Sequence, residues 1–563
     1  MIVRLLCLFM LAASLYGYLQ FFSRKTKTEF AFGITFSVIG CAMFFAGILN
    51  VLPYAAYTVC GLGVVLAGYS LIKRESIFAL ITPGTVFFAL MSVALLFILH
   101  GSLFKHIDNF SHWATAAKTL LQNDAFPRPY DINIFFQSYP LGSAAFIYYI
   151  AKIYGAYPEW IMMFAQAIFM LGCLVGIFAF AKDVKGNIFA AVTVIMLLCS
   201  NNNLVDLLVD TLLPVVAVGA AAICIYYKDD ILKAVIYTLP FTSMLTSIKN
   251  SGLFFVAVIV LYIAAVTIRK RERILGAAVS VLSPAITFAA WKVHTKIVFT
   301  NADKTKHSLS VENMGNVLSE KTPEDIKNIF LNFCKEMFSV ENTFVLVILF
   351  FVIVTLWLAK NSGSEKWKGI MIFTILSYIG YQLGNLAMYM LTMPKSEALD
   401  LASYSRYHQT ILIFVIGIVC IGVMECVLPA IGRKSATGSL VCVVLSILIF
   451  VFALKPDFTF YKPQTEEQVV TRIRMNTLVE QYQIPAGKSY IFIVSDKRDY
   501  VSFLAHHTLK AARVKLCYSD DLRANSAELE NYEYIIAFDT EEDISDYMQE
   551  AYGSAEQLVV YIA

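Results

Sequence analysis

Leu208-Val209-Asp210-Thr211-Leu212-Leu213-Pro214-Val215-Val216-Ala217-Val218-Gly219-Ala220-Ala221-Ala222-Ile223-Cys224-Ile225-Tyr226-Tyr227 carries one charge, and Lys228 follows at once. A helix of about 20 such residues matches the roughly 30 Å hydrocarbon core of a bilayer. The run reads as a membrane-crossing helix with an acid, Asp210, held near one mouth. Similar runs recur along the chain. Spans are expected near residues 4–22, 30–49, 54–72, 80–100, 157–181, 186–201, 208–227, 231–248, 252–268, 274–298, 343–359, 369–392, 409–430 and 437–455. The expected fold is an all-α polytopic membrane protein with about fourteen transmembrane helices and a small C-terminal α/β domain.

Composition agrees. Hydrophobic residues make up 58% and charged residues 15% of the chain, against about 45–50% and about 25% in soluble domains. A net charge of +3 gives no reason to expect a nucleic-acid partner. The eleven cysteines show no metal-ligand spacing. Nine fall in apolar runs as small hydrophobes, and Cys334 and Cys517 lie outside the spans, where a disulfide would join them if they met. The first apolar run is too long for a signal-peptide core. Its positive cluster, Arg24-Lys25-Thr26-Lys27, follows it, so it reads as a retained helix with its N-terminus outside.

Lysine and arginine gather on cytoplasmic loops and so orient the chain. Lys25 and Lys27, Lys73 and Arg74, Lys182 and Lys185, Lys228, Arg269 to Arg273, Lys360 to Lys368, and Arg433 with Lys434 fall on one side, the inside. The loops 101–156, 299–342 and 393–408 and the tail fall outside. Residues 140–154 are apolar but short. A crossing there would invert every later loop, whereas an interfacial or re-entrant helix keeps the charge rule intact. In the tail, Tyr490 to Ser495, Val514 to Tyr518, Tyr534 to Phe538 and Leu558 to Ile562 read as strands. Val501 to Ala512 and Glu541 to Tyr552 read as helices between them, an α/β layer pattern. No glycine-rich turn follows the first strand, so a nucleotide site is not supported.

Polar residues concentrate at the outer ends of the spans. His106-Ile107-Asp108-Asn109-Phe110-Ser111-His112-Trp113 opens an amphipathic helix. Ile107, Phe110, Ala114, Ala117 and Leu121 form its apolar face, and Asp108, His112, Thr115 and Thr119 its polar one. Such a helix would lie on the bilayer surface and offer Asp108 and His112 to a cavity, or leave them solvated. Asp206 and Asp210 stand one turn apart at a helix mouth. An acid beside a span is costly and marks a functional position, although a helix N-terminus also favours acids. Lys249 lies between two apolar runs on the side where the charge rule disfavours it, as a site residue or as a snorkelling lysine. Arg406, flanked by Tyr404 and Tyr407, suits a bidentate grip on phosphate or an aromatic-belt anchor. An acid can take a proton from a sugar hydroxyl, and cations can stabilise a phosphate leaving group.

With these residues in place, the chain resembles the GT-C superfamily of membrane glycosyltransferases, over roughly residues 76–430. Asp108 matches the acid of that superfamily's first external loop, Asp210 its second acid and Lys249 a lysine that follows in several members. Tyr139-Pro140-Leu141-Gly142 resembles the proline-containing end of the first loop. Asp108…Ser111-His112-Trp113, Val209-Asp210, Ile248-Lys249…Gly252, Trp291…His294 and Lys395 to Tyr407 resemble a set of bacterial relatives. The chain departs from the pattern in three helices that precede the acidic loop, in Asn109 where mannosyltransferases carry a second acid, and in Gln137-Ser138 before the proline stretch.

The resemblance divides the chain into accessory helices at 1–75, a GT-C-like catalytic region at 76–455 and a soluble extracytoplasmic domain at 456–563. It implies an inverting hexosyl- or pentosyltransferase in a bacterial plasma membrane, active on the outer side in cell-envelope glycan assembly. The donor would be a sugar on a polyprenyl phosphate and the acceptor a glycan, lipid or protein hydroxyl. Asp108, His112 and Asp210 would be catalytic, and Lys249, Arg406, Tyr404, Tyr407, Trp113 and Tyr139 would bind substrate. Whether a divalent metal takes part stays open. A flippase or a polymerase of lipid-linked glycans is the competing reading; a flippase would need polar residues at mid-membrane.

Overall fold

A computed structural model describes residues 2–128, 136–200, 203–270, 274–299, 311–339, 344–359, 364–431, 436–458, 467–495, 499–523, 529, 531–554 and 558–562. Among the described residues, ten helices are long and apolar enough to cross a membrane: Ile2–Ser23, Thr28–Ile48, Leu52–Ile72, Glu159–Phe180, Val209–Tyr226, Ile231–Ile248, Gly252–Lys270, Gly276–Val298, Glu365–Leu391 and Tyr404–Val427. Shorter apolar helices, Pro83–Leu99, Val184–Leu198, Val347–Trp357 and Val444–Leu454, fall on the four remaining expected spans. Phe97, Leu261 and Ile297 turn outward from their helices, a surface suited to lipid. Pro214, Pro240 and Pro284 sit inside helices, which spanning helices tolerate because neighbours satisfy the freed backbone groups.

The charged loops sort to opposite ends of the bundle. Arg24 pairs with Glu75, Lys270 with Asp229, and both Lys182 and Lys366 with Glu425. The Tyr237 hydroxyl donates to the Lys25 carbonyl. The opposite end carries Asp108, Asp210, Lys249, Arg406 and the C-terminal sheet.

One segment takes one of its two expected forms and another differs from expectation. Residues 140–154 form the helix Gly142–Tyr154, in which every residue except Lys152 is buried. At about 20 Å it is too short to cross, and it is enclosed by the bundle instead of lying on its surface. Gly142 presses against Ser247, where a Cβ would have no room. The segment after Asp108 is not a surface helix either. Asn109–Trp113 is a π-helical turn, in which the Ala114 N–H donates to the Asn109 carbonyl, and Ala114–Asn123 continues as an α-helix. On its former polar face Asp108 stays about a third exposed, His112 is enclosed by Trp113, Phe136 and Tyr139, and Thr115 is covered by His507 of the C-terminal domain.

That domain holds a four-stranded sheet of β1 (Ser489–Val494), β2 (Arg513–Tyr518), β3 (Tyr534–Ala537) and β4 (Val559–Tyr561), in the order β2-β1-β3-β4. β1 runs parallel to both neighbours and β4 antiparallel to β3. The unbroken apolar run of β1 is what a central parallel strand requires. Helices Asp499–Leu509 and Glu542–Tyr552 connect strands as expected, and a further helix, Glu467–Gln481, precedes the sheet. Cys334 and Cys517 are free thiols, so the disulfide is absent.

Candidate functional site

Asp210 stands in the first turn of Val209–Tyr226, where the helix dipole favours an acid. Lys249 occupies the corner between Ile231–Ile248 and Gly252–Lys270, in an extended conformation that breaks the helix and swings its side chain back toward the bundle. Arg406 lies in the first turn of Tyr404–Gly422, just after Ser403 turns the chain through the left-handed region at φ 61°. Asp108 ends the loop that leads into the π-helical turn.

These four side chains form a chain of alternating charge. Lys249 Nζ donates to Asp210 Oδ1 at 3.1 Å. Arg406 Nε lies 3.5 Å from Asp210 Oδ2, an ion-pair contact without a hydrogen bond. Arg406 Nη1 donates to Asp108 Oδ2 at 2.5 Å. Exposure rises along the chain: the Asp210 and Lys249 side chains are 10% and 15% exposed, those of Arg406 and Asp108 29% and 32%. The inner pair is therefore the more buried and the outer pair the more open to solvent. Burial disfavours the charged form of Lys249, but the Asp210 carboxylate together with Tyr139 and Tyr407 outweighs it and raises the ammonium pKa, so the lysine stays charged.

The inner pair forms one wall of a cavity of about 280 Å³, which Tyr139 and Tyr407 also line. Phe254, Tyr381, Met388 and Met393 make the other side apolar. At Gly384, also on the lining, a Cβ would meet nothing within 4 Å. The cavity suits a ligand with an anionic head and an apolar body.

Among the other expected site residues, Lys249 Nζ lies 5.8 Å from the centre of the Trp113 ring and the Arg406 guanidinium 5.6 Å from that of Tyr407. Tyr139 stacks on Trp113 at 6.0 Å and on Phe136 at 5.1 Å. Two expectations are corrected. Tyr404 does not flank the guanidinium: it is buried against Phe333 at 5.3 Å, with its hydroxyl 3.4 Å from His408 Nδ1. His112 does not share a polar face with Asp108. The π-helical turn changes the register between them, and the imidazole is enclosed by Trp113, Phe136 and Tyr139 with no hydrogen-bond partner on either ring nitrogen among the described residues. Burial, with Lys249 adding to it, lowers its pKa to about 3, so it is a neutral packing group.

Other residues emerge only in three dimensions. Asp206 accepts hydrogen bonds from the backbone N–H groups of Lys105 (3.2 Å) and His106 (3.1 Å) and from the Asn109 amide, while Asn109 Oδ1 accepts from Leu207 N at 2.9 Å. Asn109, in place of a second acid, thus pins the loop to the bundle. Burial raises the Asp206 pKa despite these amides. Tyr381 and Asn385 reach the cavity from one face of Ser364–Leu391, and their polarity within an apolar helix was the available signal.

Among the described residues, no group of three or more His, Cys, Asp or Glu side chains comes together to hold a metal ion. Asp108 and Asp210 already face cations, a donor set that does not fit a divalent ion. No family model matches the chain, and no curated protein matches it by sequence.

Proposed function

We propose that the chain is a GT-C-type membrane glycosyltransferase with fourteen spans, moving a sugar from a polyprenyl phosphate to an acceptor hydroxyl. The observation that carries this reading is the Asp108–Arg406–Asp210–Lys249 chain, whose inner pair lines a cavity that is otherwise largely apolar. On this reading the protein sits in a bacterial plasma membrane, and the charge rule supports an outer location for this end and the C-terminal domain.

Asp210 holds Lys249 and Arg406 toward the cavity, where they receive the donor phosphate as a point charge and a fork. The phosphate takes over the guanidinium contact that Asp108 occupies at rest, and Asp108 turns to the acceptor. The acceptor oxygen bonds to the anomeric carbon from the face opposite the phosphate. The bond from that carbon to the phosphate oxygen breaks, the polyprenyl phosphate leaves with the electron pair, and the hydroxyl proton passes to Asp108. The anomeric configuration inverts. Charge developing on the leaving phosphate is neutralised by two cations in a water-poor site, where such stabilisation is worth most.

The test is transfer from a polyprenyl-phosphate sugar by purified protein. Asp108→Asn is expected to stay folded and lower turnover by about two to four orders of magnitude. Near-normal transfer by that variant would remove Asp108 as the base. Movement of the lipid across vesicles without any transfer would replace this reading with a flippase.

A further inference from the structure

The C-terminal domain grips the segment that carries Asp108. Arg472, buried in the helix Glu467–Gln481, pairs with Glu159 and donates from Nη1 to the Phe104 carbonyl at 2.9 Å. Glu159 accepts from the Phe104 N–H at 2.6 Å, so both backbone groups of Phe104 are held. The same guanidinium lies 5.1 Å from the centre of the Phe110 ring. From the helix Asp499–Leu509, Tyr500 and His507 pack edge-on against Phe110 at 5.3 and 5.1 Å. Lys118 Nζ donates to the His507 carbonyl at 2.8 Å.

The contact between His507 and Thr115 is the most specific. Thr115 Oγ1 donates its one proton to the Phe110 carbonyl at 2.7 Å, spanning the π-helical turn. His507 Nδ1 lies 2.8 Å from the same oxygen. With the hydroxyl proton already committed, the imidazole is the donor and its proton sits on Nδ1. A π-helical turn is a strained insertion in a helix and persists only where its surroundings hold it. Here the hydroxyl bridges it and the imidazole fixes the hydroxyl. On the opposite side, Asp206 and Asn109 pin the same segment to the bundle. Asp108 lies between the two anchors.

We infer that the C-terminal domain is a positioning device for the site: His507, acting through Thr115, holds the π-helical turn, and Arg472, acting through Glu159 and Phe104, holds the chain leading into Asp108. Neither residue touches the cavity. The kinetic part of the test rests on the transferase reading, and the exchange part does not.

The experiment uses the full chain in detergent, with His507→Leu, His507→Asn, Thr115→Val and Thr115→Ser. Asparagine can place an amide N–H where Nδ1 stands, and serine keeps the hydroxyl. Amide hydrogen exchange over residues 104–119 is expected to quicken by about tenfold in His507→Leu and in Thr115→Val, as for loss of one buried hydrogen bond. His507→Asn and Thr115→Ser should stay near the parent. Affinity for farnesyl phosphate, which Lys249 and Arg406 would bind, should stay within about threefold throughout, while kcat for transfer falls in the leucine and valine variants. Parental exchange and kcat in Thr115→Val would overturn the proposal even if His507→Leu failed to fold. An asparagine variant as impaired as the leucine one would also overturn it. If Arg406→Ala bound farnesyl phosphate as the parent does, the transferase reading would fall, and the exchange data would still decide the role of the domain.

Discussion

The Lys249–Asp210 pair and the Arg406–Asp108 pair sit side by side in one chain of charges, and solvent reaches them differently. The first lies at two helix ends inside the bundle, nearly sealed. The second is shorter but about a third exposed, and one partner comes from a loop. Removing one member of a sealed pair leaves an uncompensated charge with no water to replace it. An exposed pair contributes little net stability and can exchange partners. The inner pair is thus built to hold cations in place and the outer pair to be opened by an anion, although both join a carboxylate to a cation.

The largest expected effect breaks the inner pair. Asp210→Ala should destabilise the protein by about 3–5 kcal/mol, read as thermal unfolding in detergent. The double variant Asp210→Asn with Lys249→Met should recover much of that loss, because neither charge is then stranded. If Asp210→Ala costs no more than Asp108→Ala, the two pairs are equivalent and the contrast fails.

The next effect concerns two buried histidines of the segment that carries Asp108 and of the domain over it, His112 and His507. Burial lowers His112 to about 3 and pushes His507 well below its usual value, where Lys118 and Arg472 add to the effect. Both are neutral in the folded protein, whereas an unfolded histidine titrates near 6.5. Below about pH 6.5 the unfolded chain takes up protons that the folded one refuses. Stability present above that pH is therefore lost as pH falls, by about 1.4 kcal/mol per unit for each group until its folded pKa is reached. His507→Asn should remove the contribution of that group. An unchanged slope between pH 7.5 and 5 in that variant would show that His507 is not held neutral.

Much of this was legible in the chain. The spans were readable because lipid demands long apolar runs, and β1 to β4 because a buried sheet demands short ones. Asp108, Asp210, Lys249 and Arg406 could be grouped because each is a costly residue at the same end of a span. Their pairing could not be read, since Arg406 and Asp108 are 298 residues apart. The π-helical turn also escaped, because helical spacing assumes 3.6 residues per turn and one inserted residue rotates His112 away from Asp108. The clamp by Arg472 and His507 has no local signature. It exists because the sheet domain folds back on residues 104–119, and with the bundle on the other side that contact encloses what the spacing presents as a surface helix.

A smaller effect opens the outer pair. At rest Asp108 competes with any anion for the Arg406 guanidinium. Asp108→Asn removes that competitor's charge and should tighten farnesyl phosphate binding by about tenfold, the size of one charge-assisted contact, even as transfer collapses. Titration calorimetry would show it. Weaker or equal binding by the asparagine variant would mean that the phosphate does not take the position held by Asp108.

The smallest effect separates the two tyrosines that neighbour Arg406 in sequence. They look equivalent in the sequence, yet three residues apart on one helix they meet different neighbours. The Tyr407 ring lies under the guanidinium and lines the cavity, whereas Tyr404 is packed against Phe333 beside His408. A cation over an aromatic face at a partly exposed site gains about 0.5–1 kcal/mol, and the ring also limits how the guanidinium can turn. Tyr407→Leu should therefore weaken farnesyl phosphate binding about two- to fivefold, the same energy expressed as affinity. Tyr404→Phe should leave that affinity unchanged and affect only the packing behind the helix. Equal losses from both substitutions would mean that Arg406 is oriented by Asp108 and Asp210 alone, with no share from the ring beneath it.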